Sequence, residues 1–200
     1  MKAEKKKKGE KGYLVYQKKN TALRTTVLFG LSMAIYLTGY ISTGSNKNLL
    51  TIVAVLGCLP ACRSAVNMIM IFKYRGLGEE DYRKIAPHGN GCAKLFDLVF
   101  TSYEKNFEIH HMAFKGNCLI GYSANPDCDA KACEKHLHSM CVQNNLGDVE
   151  IKIFKELPKY INRLDQIAAL PDYEVESAEE GEESTPKADL VCALMRAVSL

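Results

Sequence analysis

Two stretches near the start of the chain stay apolar long enough to set the reading of the rest. Residues 22–43 run ALRTTVLFGLSMAIYLTGYIST, with Arg24 at one edge and no charge beyond it. Residues 49–72 run LLTIVAVLGCLPACRSAVNMIMIF, with Arg63 as their one charge. A hydrocarbon layer about 30 Å thick needs roughly 20 apolar residues in helical form. Backbone amides left unpaired in lipid are costly, so each stretch would cross as a helix. The pattern predicts a two-helix transmembrane hairpin, its spans joined by the short polar loop 44–48.

Beyond residue 72 the period shortens. EEDYRKIA reads as a brief amphipathic helix that stops at Pro87. The runs 94–104, 106–114 and 117–124 are rich in β-branched and aromatic residues. Lys105-Asn106 and Lys115-Gly116 separate them and suit tight hairpin turns, so three antiparallel strands are expected. Asp127 or Asp129 would cap a helix whose apolar stripe holds Ala130, Cys133, Leu137, Met140 and Cys141. Residues 148–157 alternate Val149, Ile151 and Ile153 with polar positions, which is a fourth strand. Pro158 then opens a helix with Tyr160, Ile161, Leu164 and Ile167 at helical spacing. Residues 73–170 are thus expected to form a small α+β domain: helix, three antiparallel strands, helix, strand, helix. An acidic, disordered linker (171–187) and a C-terminal amphipathic helix (188–200) would follow. That last helix could dock back on the domain, grip a partner or lie on the membrane.

Charge orients the hairpin. The basic N-terminus (1–21) has eight lysines against two glutamates in its first twenty residues, and Lys73 and Arg75 follow the second span. The loop between the spans offers only Lys47. Positive residues favour the cytoplasmic side, so the chain is expected in the cell membrane, multi-pass, with both termini cytoplasmic. Lys5, Lys6, Lys7 and Lys8 would then meet anionic headgroups. A lipid surface suits this run better than nucleic acid, because only Tyr13 and Tyr16 interleave with the lysines.

Within the spans, Gly57, Ala61 and Ala65 share one helical face, and Gly30 and Ala34 another. Small faces let helices approach closely, so these are expected to form the hairpin seam, with self-association through the Gly57, Ala61 and Ala65 face as the competitor. Arg63 is the costly residue, at about 2.5–3.5 kcal/mol near a helix centre. Neither span holds an acid to pair with it, so it either snorkels to an interface or meets a partner.

The candidate chemistry is thin. Cys128, Cys133, His136, His138 and Cys141, with His110 and His111 on a neighbouring strand, are the nearest thing to a metal cluster. Zinc favours short paired ligand spacings, no CxxC occurs, and His136 and His138 point different ways around one helix. No metal or other cofactor is therefore expected. Pro126-Asp127 with Glu150-Ile151-Lys152 superficially spells the PD…ExK pattern of restriction-endonuclease-like enzymes. There the ExK belongs to the third strand, but here it falls on the fourth, and Asp127 opens a helix. Carboxylates that cannot meet cannot hold Mg²⁺. Phosphate-binding loops, nucleophile elbows and HExxH are lacking.

The layout is similar to that of two-span membrane proteins carrying a small cytoplasmic domain, and no motif narrows it further. The expected role is that of a non-enzymatic adaptor or accessory subunit. Two alternatives stand beside it. One is a membrane-tethered enzyme or metal-binding protein with its site around His110, His111 and the 128–141 helix. The other is a subunit of a transport or pore complex that uses Arg63.

Overall fold

A computed structural model describes residues 6–45, 48–103, 105–170 and 186–200. The chain divides into two compact units. One is the helical segment Leu14–Arg75, and the other joins the residues up to Tyr13 with Gly76–Leu200.

In the helical unit, α1 (Tyr13–Thr43) and α2 (Leu49–Lys73) are both long and apolar enough to cross a membrane. α1 starts well before residue 22, because Gln17, Lys18 and Lys19 are good helix formers and nothing in that stretch breaks the helix. The basic terminus is therefore partly helix. Lys18 Nζ lies 5.6 Å from the centroid of the Phe72 ring, linking the two helices near their polar ends. Asn48 caps α2 by accepting the Thr51 amide, and Pro60 lies inside that helix.

The seam recurs every seven residues. Thr25, Ser32 and Gly39 are buried on α1, and Ala54, Ala61, Ser64 and Ile71 on α2. The Thr25 and Ser64 hydroxyls meet at 2.7 Å. A Cβ added to Gly57 would stand 3.0 Å from Ser32 Oγ, and one on Gly39 would stand 2.7 Å from Leu50 Cβ. Ala65 is half-buried beside this line. Gly30 and Ala34 are not on it: Gly30 faces open space and Ala34 is exposed. The reason is register, since on α1 Thr25, Ser32 and Gly39 hold the seven-residue positions. Leu23, Val27, Leu31, Ile41, Ile52, Leu56, Leu59 and Ile69 point outward and are exposed.

The second unit is built on a four-stranded mixed sheet in the order β1 (Ala93–Thr101), β2 (Asn106–Lys115), β3 (Cys118–Tyr122) and β4 (Glu150–Phe154). β1, β2 and β3 pair antiparallel, while β4 runs parallel to β3. A parallel pair needs a crossover, which is supplied by α4 (Ala130–Gln143), capped by Asp129. Cys133, Leu137 and Cys141 of α4 join Val191, Cys192 and Met195 of α6 (Lys187–Val198) over one face of the sheet. Tyr160, Leu164 and Ile167 of α5 (Leu157–Ala168) and Ile85 of α3 (Glu79–Ile85) cover the other. The C-terminal helix thus docks back on its own domain. Most of the acidic stretch before it (171–185), like Lys5, lies outside the described residues.

Asp97 breaks the alternation of β1. Its φ is +55°, and the pairing passes from Phe96↔His111 to Leu98↔Ile109 without joining Asp97 to His110. Leu95 and Leu98, three apart, consequently face the same core, as do Ile109 and Met112 on β2. The buried Asp97 carboxylate accepts the Gly12 amide at 2.8 Å on one oxygen and the Leu77 amide at 2.7 Å on the other. Gly12 and Leu77 belong to the two separate pieces of this unit, so one side chain ties both to β1.

The outer edge of β1 is closed by both chain ends. Gly9 bridges Phe96, Ser199 bridges Phe100, and the Leu200 amide donates to the Val99 carbonyl. Gly9 has φ +86°, and a Cβ there would come within 2.7 Å of Leu95, so the close approach requires glycine. Lys8 Nζ donates to the carbonyls of Arg196 and Ser199, satisfying the last turn of α6. Lys8 is therefore partnered within the protein. Lys6 and Lys7 remain exposed, with Lys6 Nζ donating to the Lys11 carbonyl.

Replacing Asp97 with Ala removes two bonds to a charged acceptor and puts a Cβ-bearing residue without a local polar group in the left-handed region. A loss of about 3 kcal/mol is expected. Asp97→Asn should lose less. Urea unfolding of the full-length protein in detergent, with amide exchange followed at Gly12 and Leu77, measures this. Unchanged protection at both amides would contradict the assignment.

Candidate functional site

Three neighbouring titratable side chains, Glu108, His110 and His111, lie where β2 changes face. Burial separates what these residues can do. His110 Nδ1 accepts the Ala124 amide at 3.2 Å, so its proton resides on Nε2, which stands 3.8 Å from Glu108 Oε1. Both side chains are nearly buried, at 5% and 7% exposure. Asn125 Nδ2 reaches Glu108 Oε2 at 3.5 Å, and the Ser123 hydroxyl donates to the Glu108 carbonyl at 2.6 Å. Nearby, the Tyr122 hydroxyl donates to Asp81 at 3.2 Å. Burial first, and the Asp81 carboxylate second, push Tyr122 up to about 12, so it stays protonated.

His111 belongs to a different environment. Its Nδ1 lies 2.5 Å from the Tyr160 hydroxyl, and its ring sits 4.6 Å from that of Phe96. If Tyr160 donates, one imidazole N–H is left over. If His111 donates, both the tyrosine proton and the Nε2 lone pair are left over. The first arrangement wastes less, and Nε2 is indeed unpartnered. Burial, with a smaller push from the Lys94 ammonium, lowers His111 to about 3, and burial raises Tyr160 well above its ordinary range. Both are neutral at physiological pH and fully buried. A general base must sit within reach of the proton it takes and titrate near the working pH, and His111 meets neither condition.

The metal candidates do not converge. Cys128, Cys133 and Cys141 are buried in the core on the α4 and α6 side, whereas His111 faces α5 across the sheet. His136 lies beside the Phe107 ring, and His138 is exposed. Among the described residues no group of three or more His, Cys, Asp or Glu side chains could hold a metal ion. Burial pushes the thiols of Cys128, Cys133 and Cys141 up, so all three are protonated, apolar core residues rather than nucleophiles.

Glu150 serves local structure through its carboxylate and Asp127 through its backbone amide. The Asp127 amide donates to Asn125, and Glu150 accepts the Cys118 thiol at 3.8 Å. Lys152 pairs with Glu134 at 3.6 Å, and the same carboxylate takes the outward amide of Ile153 at 2.8 Å.

In the helical unit, Gly57 and Ala61 lie on the seam, while Arg63 is exposed outside it. The sequence pattern alone reads Asp97 as a solvated face, whereas it is buried; it places Lys8 among the headgroup lysines without its α6 receptor, and it passes over the Thr25–Ser64 pair. A lone carboxylate inside the apolar run KLFDLVFT was the visible signal for the first. No known protein family, curated protein or solved structure matches this chain.

Two outcomes follow from these environments. His111 is held neutral in the folded state, with a pKa of about 3 against about 6.5 unfolded, so the unfolded chain binds the extra proton between those values. Its contribution is fully present above pH 6.5 and is lost as pH falls toward 3, by about 1.4 kcal/mol per unit in the middle of that window. Urea midpoints of the wild type across this range should show the slope, and His111→Leu should flatten it. Separately, Cys133 and Cys141 should resist a thiol-alkylating reagent at pH 8 until urea unfolds the domain. Alkylation of either in the folded protein would contradict the burial assignment.

Proposed function

We propose that the chain is an integral membrane protein. Its two-helix hairpin crosses the cell membrane, and the α+β domain stands at the cytoplasmic face as a non-enzymatic adaptor or accessory subunit. The supporting observation is the outward surface of α1 and α2. Only 17% of each apolar window is buried, and Leu, Ile, Val and Phe side chains occupy most of what remains. The core helix of a water-soluble fold would bury such a face, and a hydrocarbon layer covers it without a protein partner. The lysine bias toward the N-terminal flank and residues 73–75 supports the orientation.

The domain supports a binding role more than a catalytic one. The polar groups around Glu108, His110 and Ser123 are engaged with one another, and the buried thiols of Cys128, Cys133 and Cys141 are protonated. Val191, Cys192 and Met195 of the C-terminal helix are buried against the sheet, so that helix is no free anchor for a second protein.

Carbonate washing of membranes should leave the full-length protein in the pellet. Reporters fused before residue 6 and after Leu200 should both read cytoplasmic, while one inserted at Ser45 should read external. Release into the wash would overturn membrane insertion, and export of the reporter behind Leu200 would overturn the orientation.

A further inference from the structure

Arg63 stands in the middle of α2. It is ten residues from Lys73 and fourteen from Leu49, or about 15 Å and 21 Å along the helix axis. Its side chain is exposed and lies off the seam, beside the buried Ser64. Asn67, one turn further on, is exposed as well. The outward face of an otherwise apolar helix therefore carries a cation and an amide one turn apart. Neither α1 nor α2 contains an Asp or Glu, so the hairpin has no carboxylate to offer.

We infer that the Arg63–Asn67 face of α2 docks against a membrane-spanning helix of a different protein, one that carries a carboxylate at matching depth. This rests on the membrane reading above and names the partner it requires. Ionisable groups at such depth face a bundle interior and pair there, and in this hairpin the interior is the Thr25–Ser64 seam, which excludes Arg63. The planar guanidinium fork matches a carboxylate with two parallel N–H donors. The Asn67 amide adds a donor and an acceptor for the same neighbour.

The competing occupants fit less well. A second copy meeting this face around a two-fold axis brings Arg63 toward Arg63, and like charges repel. A lipid phosphate at the nearer end lies toward Lys73, but helical side chains leave the backbone tilted toward the N-terminal end, here toward Leu49. Reaching that headgroup works against the direction of the Cα–Cβ bond.

The test uses full-length protein in its native membranes, with a photocrosslinking residue at Val66, an exposed position beside the face. With Arg63 present, the adduct should map within one helical turn of an Asp or Glu in a transmembrane segment of another protein. Its yield should fall at least about tenfold in Arg63→Leu, and equally when that partner carboxylate is changed to Leu. Adducts to lipid alone, to a second copy, or to a protein at a yield indifferent to Arg63→Leu would overturn the inference. Carbonate extraction of the same samples separates the two levels. Release of the wild type into the wash removes the membrane reading and this inference with it, whereas a retained protein that crosslinks only to lipid removes the inference alone.

Discussion

The carboxylate of Asp97 is the point on which the domain's construction turns. The unit containing the sheet is made from two pieces of chain separated in sequence by the entire helical segment. Such a unit needs something to fix both ends of the excursion. Asp97 does so with one side chain, taking the Gly12 amide on one oxygen and the Leu77 amide on the other. The cost is a non-glycine residue at φ +55° in a strand, which Asp tolerates better than most. Gly76 completes the fit, since a Cβ there would crowd both carboxylate oxygens at 3.1 and 3.2 Å. Buried carboxylates are stable when each oxygen is bonded, and here both are.

Other buried or partly buried polar groups are likewise used structurally. His111 Nδ1 and the Tyr160 hydroxyl bond each other within an aromatic cluster that includes Tyr122, leaving His111 Nε2 over, and the burial that fixes their geometry also keeps them neutral. Lys8 closes α6 with its ammonium, and Glu134 covers an outward amide of β4. Each of these groups looks reactive when read by residue type. Each is consumed in holding the sheet, its edges or its covering helices in place. Chemistry-bearing residues at this density therefore describe a well-tied small domain, and the exposed interest shifts to the helical unit.

Much of this was legible in the sequence, and the remainder was hidden for identifiable reasons. Helices and strands announced themselves through periodicity, as with Tyr160, Leu164 and Ile167 on α5 or the Asp129 cap of α4. The parallel direction of β4 did not, because alternation reports which face a residue takes and not which way the strand runs. The seam on α1 was hidden because the eye goes to Gly30 and Ala34, while Thr25, Ser32 and Gly39 hold the seven-residue spacing. Lys8 was hidden inside a lysine run that reads as one diffuse charge, although its ammonium has a specific receptor in the last turn of α6. At the site, the adjacency of His110 and His111 was plain in the sequence. The change of face between them, which puts Ile109 and Met112 in the same core opposite the Asp97 distortion, is what a strand pattern does not encode.

The central claim is that the outward side chains of α1 and α2 lie in hydrocarbon. Its most direct measurement places an environment-sensitive fluorophore singly at Val55, Leu59 and Val66 of the full-length protein, and at His138 as a control, in vesicles containing lipids brominated along their acyl chains. The account predicts strong quenching and blue-shifted emission at the three helix positions, deepest near Leu59, with none at His138. Water-like emission and equal insensitivity to the brominated chains at all four positions would contradict it.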